Sequence, residues 1–344
     1  MRRGELMLIV VCLSSAVAMN AQNVKNAFSP KIHGTIRGKY EYQPDDHAGR
    51  FEVRNAQVSI EDTITHYVGY KAEIDLSDEG KIKMLDAYSE LMPFDKFSFR
   101  IGQMRVPFTI DAHRSPAVRY FANRSFIAKQ VADIRDVGGC LEYKLDAGFP
   151  IILECGMFNG SGLTNQKDYW TSNVNFSSKA QFFFPKGFNL TLSVQKVKPE
   201  DYIIMMYDVG AFFQSKRWHV ECEYLRKHYE DNAFKSVNAL DAFVNYDIPL
   251  KAKMFRKISP LCRYDYMSDQ SDGKKYLNHL TNPAGSLIVN DYKRQRLTSG
   301  ITLSLCAPFV ADIRINYEKY FYEHAAYALP SEKDKIVFEL MTRF

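Results

Sequence analysis

Read with a period of two, the chain divides into about sixteen segments of about ten residues in which apolar and polar side chains alternate. In Lys31–Tyr42, Ile32, Ile36, Tyr40 and Tyr42 oppose His33, Thr35, Arg37, Lys39 and Glu41. In Lys335–Phe344, Ile336, Phe338, Leu340 and Phe344 share one face with Thr342, while Glu339 and Arg343 share the other with Val337 and Met341. Helical periodicity is nowhere sustained, and no repeat longer than a hairpin or flexible linker interrupts the series. An even number of such strands can close on itself and leave no unpaired edge. The expected fold class is therefore all-β, a transmembrane antiparallel β-barrel of about sixteen strands.

The links between these segments alternate in length. Short ones include 93–95, 147–148, 185–187, 216–217 and 306–308; long ones include 106–134, 160–174, 269–291 and 322–332. Strict alternation is what a barrel with turns at one end and loops at the other requires, and it puts both termini at the short-turn, periplasmic end. The stretch near 248–256 is longer than an ideal turn. A change of phase between Arg54 and Gln57 reads as a bulge.

At the N-terminus, Arg2 and Arg3 precede an apolar run from Leu6 to about Met19, with cleavage expected after Ala18 or Ala21. Residues 1–21 are thus expected to be a signal peptide and 22–344 the barrel. Cys12 lies inside the apolar run without a lipobox, and about ten residues before the first strand leave no space for a plug domain. The processed chain would carry 43 basic against 39 acidic side chains, too even a balance for nucleic-acid binding. Twenty-one Tyr and 24 Phe suit the aromatic girdles of a barrel.

Cys140, Cys155, Cys222, Cys262 and Cys306 have no metal-ligand spacing. Pairing Leu141 with Cys155 and Glu142 with Glu154 puts Cys140 and Cys155 on opposite faces, so no disulfide is expected between them. There is no P-loop, dinucleotide fingerprint, HExxH or GxSxG motif, and His219 falls on a polar face with Glu221 and Glu223. No enzyme and no cofactor are expected.

Functional signal lies in the cations. The link 106–134 carries Arg114, Arg119, Arg124 and Lys129 against Asp111 and Asp133, together with Phe108, Tyr120, Phe121, Phe126 and Ile127. A long link with an apolar side is expected to fold back into the lumen, pack on the wall and turn its charges to the pore, raising the local anion concentration. A basic loop facing solvent or lipopolysaccharide is the alternative. On the polar faces, Arg37, Lys39, Arg54, Arg100, Arg135, Arg263, Arg296 and Arg314 mix with Glu41, Glu73, Asp75, Asp86, Glu90, Glu142, Asp265 and Asp312, so ion pairs across the wall are expected.

A closing strand that ends in Phe344 resembles the assembly signal of bacterial outer-membrane barrels, which implies recognition by the barrel-assembly machinery. From Phe51 to about Gly160 the chain also resembles the phosphate-selective porin O and P family. The resemblance is carried by Phe51-Glu-Val-Arg-Asn-Ala-Gln57, Tyr70-Lys-Ala-Glu-Ile-Asp75, Asp86-Ala-Tyr88, Arg100-Ile-Gly-Gln-Met-Arg-Val-Pro-Phe108, Asn123-Arg-Ser125 and Met157-Phe-Asn-Gly160. A weaker echo is Asp312-Ile-Arg-Ile-Asn-Tyr-Glu318. It implies a sixteen-stranded homotrimeric pore whose third outer loop, the link 106–134, lies inside. The dense basic ladder of phosphate-specific members is not evident, so general anion preference is the expectation.

The sequence reading is an outer-membrane porin for passive diffusion, in contact with lipid and small anions. Arg114, Arg119, Arg124 and Lys129 are its candidate pore residues, with Arg37, Lys39, Arg54 and Arg100 reinforcing them from the wall. A non-conducting structural or adhesive barrel and a secreted soluble β-domain are the competing readings.

Overall fold

In the computed structural model the described residues are 30–344, except 79–80, 131–134, 164–165, 276–286 and 307–309. The signal peptide expected at 1–21 and Asp133 of the long link lie outside them, as does part of the short link 306–308. Lys31–Phe344 forms one compact unit.

Among the described residues, sixteen long strands form one closed antiparallel sheet. In chain order they are β1 (Lys31–Gln43), β2 (Ala48–Thr65), β3 (Val68–Asp78), β4 (Lys81–Phe94), β5 (Phe97–Arg105), β6 (Arg135–Asp146), β7 (Pro150–Phe158) and β8 (Asn175–Phe183). They continue as β9 (Phe188–Val197), β10 (Ile204–Gln214), β11 (Trp218–Tyr229), β12 (Val237–Tyr246), β13 (Phe255–Met267), β14 (Arg294–Leu305), β15 (Val310–Tyr322) and β16 (Lys335–Arg343). A two-residue extension, Ile248–Pro249, lies within the longer link after β12 and pairs with Ile258 and Lys257.

Closure is made by β1 against β16, with Thr35 opposite Arg343 and Tyr42 opposite Ile336. At the seam, the Gly34 amide donates to the Phe344 carbonyl at 2.9 Å and the Phe344 amide returns a bond at 3.1 Å. A Cβ on Gly34 would stand 2.1 Å from the Phe344 ring, so the terminal aromatic lies over the bare glycine backbone. That contact gives the last residue a specific seat.

Alternation fixes which face is which. Along β11, His219, Glu221, Glu223, Leu225, Lys227 and Tyr229 are buried, whereas Trp218, Val220, Cys222 and Tyr224 are exposed. Apolar residues outside and polar residues inside invert the soluble arrangement, as a strand between lipid and lumen requires. The expected bulge is present: Arg37 faces Asn55 and Gly38 faces Val53, leaving Arg54 over. Leu141 and Glu142 face Cys155 and Glu154, so Cys140 is buried inside and Cys155 exposed outside.

Inside, the charges pair across neighbouring strands. Glu339 binds Arg37 and Arg314, each at 2.5 Å. Asp265 holds Arg263 at 3.0 Å and Arg296 at 2.8 Å, and Arg135 bridges Glu73 and Asp86 at 2.9 and 2.6 Å. Removed from bulk water, such groups are stable only while paired, so the network fixes the wall's inner shape.

Candidate functional site

The link after β5 is tied to the polar faces of strands far around the sheet. Thr109, with a positive φ of 56°, donates its amide to Ser193 of β9 at 3.1 Å. The next two amides, of Ile110 and Asp111, both go to Glu223 of β11. Farther along, Arg37 of β1 donates to the Ala122 carbonyl at 2.6 Å, and the Ala122 amide donates to Asn316 of β15 at 2.9 Å. Arg263 and Arg296 then take the carbonyls of Asn123 and Arg124, at 3.1 and 2.7 Å. Backbone groups that a loop would otherwise leave to water are satisfied by wall side chains.

The link's own side chains close the arrangement. Asp111 accepts the Ser125 amide at 3.0 Å and its hydroxyl at 2.8 Å, joining both ends of the segment. Burial raises the Asp111 pKa, but the charges of Arg114 and Arg263 and the Ser125 amide outweigh it and hold the carboxyl below the usual range. Ser125 also accepts the Ala128 amide at 3.2 Å and starts α1 (Phe126–Gln130), whose first amide reaches Asp265.

The apolar residues of the link have partners on the wall. Phe121 meets Phe243 edge-on with centroids 5.4 Å apart, and Tyr120 stacks on His219 at 4.5 Å. Phe126 and Ile127 join Met206, Leu225, Ala239 and Met267 in one buried cluster. Those four wall residues depart from the polar-inside pattern because they cover a helix instead of facing water.

The four loop cations divide into two kinds. Arg114 is paired with Asp111 at 3.2 Å and Glu221 at 2.6 Å, and Lys129 with Glu332 at 2.5 Å. Neither Arg119 nor Arg124 has a side-chain hydrogen bond or ion pair among the described residues, and each keeps a buried nitrogen without an acceptor. Arg119 is only 6% exposed.

Burial first, and then the charges of Arg124 and Arg37, hold the Arg119 guanidinium well below its ordinary pKa. Burial likewise lowers Arg124 to about 10, with Asp111 opposing and Arg105 and Arg54 adding to the shift. A guanidinium does not give up its proton near neutral pH, so what these values describe is an uncompensated field.

Among the wall candidates, Arg37 is fully buried on Glu339 and Asn55, Lys39 bonds Glu41 at 2.8 Å, and Arg100 bonds Glu142 and Glu154 at 3.3 and 2.9 Å. These three are neutralised. Arg54, left over by the bulge, has only Glu52 at 3.9 Å and a side chain 42% exposed.

Sequence reasoning missed Arg105 as a site residue. It lies opposite Arg135, donates to the His113 carbonyl at 2.8 Å, and has no carboxylate within salt-bridge reach among the described residues. The available signal was its place at the end of β5, where the register sets two arginines side by side. Arg105, Arg119 and Arg124 therefore form, with Arg54 and its single 3.9 Å contact to Glu52, a cluster of cations weakly matched by carboxylates among the described residues.

Next to it, a cavity of about 280 Å³ is bounded by Ser115, Ala117 and Val118 of the link and by His33, Gln57, Ser59 and Glu73 of the wall. It opens on the inner faces of β1–β3, towards the short-turn end.

Among solved structures, the chain is similar in fold to Salmonella typhi OmpF in complex with daunomycin. The TM-score is 0.63 at 13% identity, over 92% of this chain and 97% of that one. An anion-selective porin from Comamonas acidovorans aligns at TM-score 0.60 and 9% identity, covering 92% of this chain and 99% of its own. The trimer form of the outer-membrane protein OmpT from Vibrio cholerae gives 0.60 at 10%, covering 93% and 99%. No curated protein sequence matches. Residues 31–194, from β1 into β9 and including the whole link 106–134, match the phosphate-selective porin O and P family.

Proposed function

We propose that the protein is a passive diffusion channel with a modest preference for anions, and that the preference is set by Arg119 and Arg124 with Arg54 and Arg105. The observation that carries this reading is the pair of guanidinium groups, each with a buried nitrogen, that find no acceptor among the described residues. Arg37, Arg100, Arg114, Arg135, Arg263, Arg296 and Arg314 are each matched to a carboxylate within 3.0 Å. Uncompensated buried charge is costly, so these positions favour a passing anion and disfavour a cation. Arg114 and Lys129 act differently: their ion pairs hold the link in place, so the segment narrows the lumen and keeps the charges of Arg119 and Arg124 just beneath its lining.

The similarity to an anion-selective porin supports the same direction of selectivity. By analogy with the trimer form of the Vibrio cholerae protein, three copies assemble side by side in the membrane. Residues 1–21 are removed on export, which N-terminal sequencing of membrane-extracted protein checks.

Reconstitution into a planar bilayer under a potassium chloride gradient tests the channel reading. A zero-current potential of the sign set by chloride flow is expected. Purified, folded barrel that inserts without conductance would favour a structural or adhesive role, and a potential set by potassium would reject the assignment of the arginines.

A further inference from the structure

The short-turn rim is electrically lopsided. Three successive short-end connections, β8–β9, β10–β11 and β12–β13, carry Lys186, Lys216, Arg217, Lys251 and Lys253, and Arg256 follows at the start of β13; all six are exposed and without an ion pair among the described residues. The acid in these connections, Asp247, is already bound by Lys257 at 2.6 Å and by Ser259 at 2.7 Å. Around the opposite arc, Asp62, Asp95 and Asp146 alternate with Lys96 and Lys144, so no comparable excess of one sign arises.

On the outward side of the same arc lies an aromatic ledge. Phe188 faces Phe213 across β9 and β10, Trp218 contacts Tyr246 with centroids 4.4 Å apart, and Phe184 touches Phe149 at 4.6 Å. Arg217 donates to the Tyr246 hydroxyl at 3.4 Å, which ties charge and ring together. The turns are also geometrically fixed: Gly187, at a φ of 86°, packs so closely on the Gln214 carbonyl that a Cβ would stand 1.9 Å from it. Lys186 and Lys216 are therefore held on neighbouring turns.

Rings at this level sit at the boundary between acyl chains and headgroups, and cations just beyond them stand at phosphate depth. Cations that lack protein partners there require mobile counter-charges, and a lipid phosphate supplies one at a fixed distance from the aromatic ledge. We propose that this arc of the short-turn rim, from β8 to β13, is a docking surface for anionic phospholipid headgroups of the adjoining leaflet. The arc lies apart from the arginine cluster, so the assignment is independent of what the channel conducts.

Trp218 sits in the ledge and is one of two tryptophans; the other, Trp170, is in the long link after β7 and 94% exposed. The full barrel with Trp170→Phe is reconstituted into phosphatidylcholine vesicles that contain either brominated phosphatidylglycerol or brominated phosphatidylcholine, and quenching of Trp218 is measured. Preferential quenching by the brominated phosphatidylglycerol is expected, corresponding to an association advantage of at least about fivefold, weakened by salt. Replacing Lys216, Arg217, Lys251 and Lys253 by Gln should bring that ratio close to one. Should the quadruple variant fail to give a folded barrel, Lys216→Gln with Lys251→Gln should still reduce it.

Equal quenching by the two lipids, or an advantage that survives neutralisation in a folded barrel, would overturn the proposal. Added lipid A separates the two sources of phosphate. If it displaces the brominated phosphatidylglycerol more effectively than unlabelled phosphatidylglycerol does, the rim binds lipopolysaccharide and the phospholipid assignment is wrong.

Discussion

Replacing Arg119 and Arg124 together by Gln isolates the unpaired cations from the paired ones. Neither side chain holds an ion pair among the described residues, and each has a buried nitrogen without an acceptor, so on the proposed reading their charges contribute field to the lumen and little to the fold. For an ion passing about 8 Å from a guanidinium at an effective dielectric of about 80, each charge lowers an anion's energy and raises a cation's by roughly 0.5 kcal/mol. The difference of about 1 kcal/mol is about fivefold in the ratio of anion to cation permeability per arginine, and about 25-fold for both. The assay is the zero-current potential across a planar bilayer under a salt gradient, with Arg100→Gln as the paired control.

Arg100 is matched by Glu142 and Glu154, so its removal leaves net negative charge and should shift the ratio by less than the double variant does. Stability should hold as well. Because buried charges without partners are removed, the thermal midpoint of the double variant should be unchanged or higher. A permeability ratio equal to that of the unmodified protein, in a channel of normal conductance, would refute the assignment of selectivity to these residues.

Three further outcomes follow from the same geometry. Arg37→Met should destabilise the barrel by about 3 kcal/mol, read as a lower thermal midpoint, because it breaks a fully buried pair with Glu339 and strips the Ala122 carbonyl of its donor. Asp111→Asn should loosen the link, giving stepwise current noise at neutral pH that the unmodified channel lacks. The pKa of Asp111 is depressed in the folded protein, so its stabilisation is fully present above the ordinary carboxylate value of about 4 and is lost only as pH falls through the lower folded value. The unmodified channel should accordingly stay quiet from pH 7 to about pH 4, where noise at pH 6 would contradict the mooring role. Gly34→Val should displace the Phe344 ring and lower the yield of folded barrel in the membrane, measured by the fraction that resists protease in intact cells.

How much of this could be read in advance depended on the range of the interaction. Side-chain direction in a strand is a local property with a period of two, so the inner and outer residues of β1, β11 and β16 could be assigned from the sequence alone, as could the Arg54 bulge and the Leu141–Cys155 register. Link lengths are equally local, and their alternation gave both ends of the barrel. The composition of 106–134, apolar and cationic together, singled out the segment that is moored to the polar faces of β1, β9, β11 and β15. What it did not reveal is which of its cations are free.

That distinction was made by residues far away in sequence. Arg114 is neutralised by Glu221 of β11 and Lys129 by Glu332 of the link before β16, whereas Arg119 and Arg124 form no ion pair among the described residues. Arg105 became visible only when register set it beside Arg135 and the charges of Glu73 and Asp86 went to the latter. The sequence by itself determined that this chain makes a closed sheet with lipid outside and charge inside, because a two-residue period and a link length need no partner to be defined. The tertiary structure alone decided where charge remains uncancelled, because cancellation depends on ångström-scale distances between strands that no local pattern encodes.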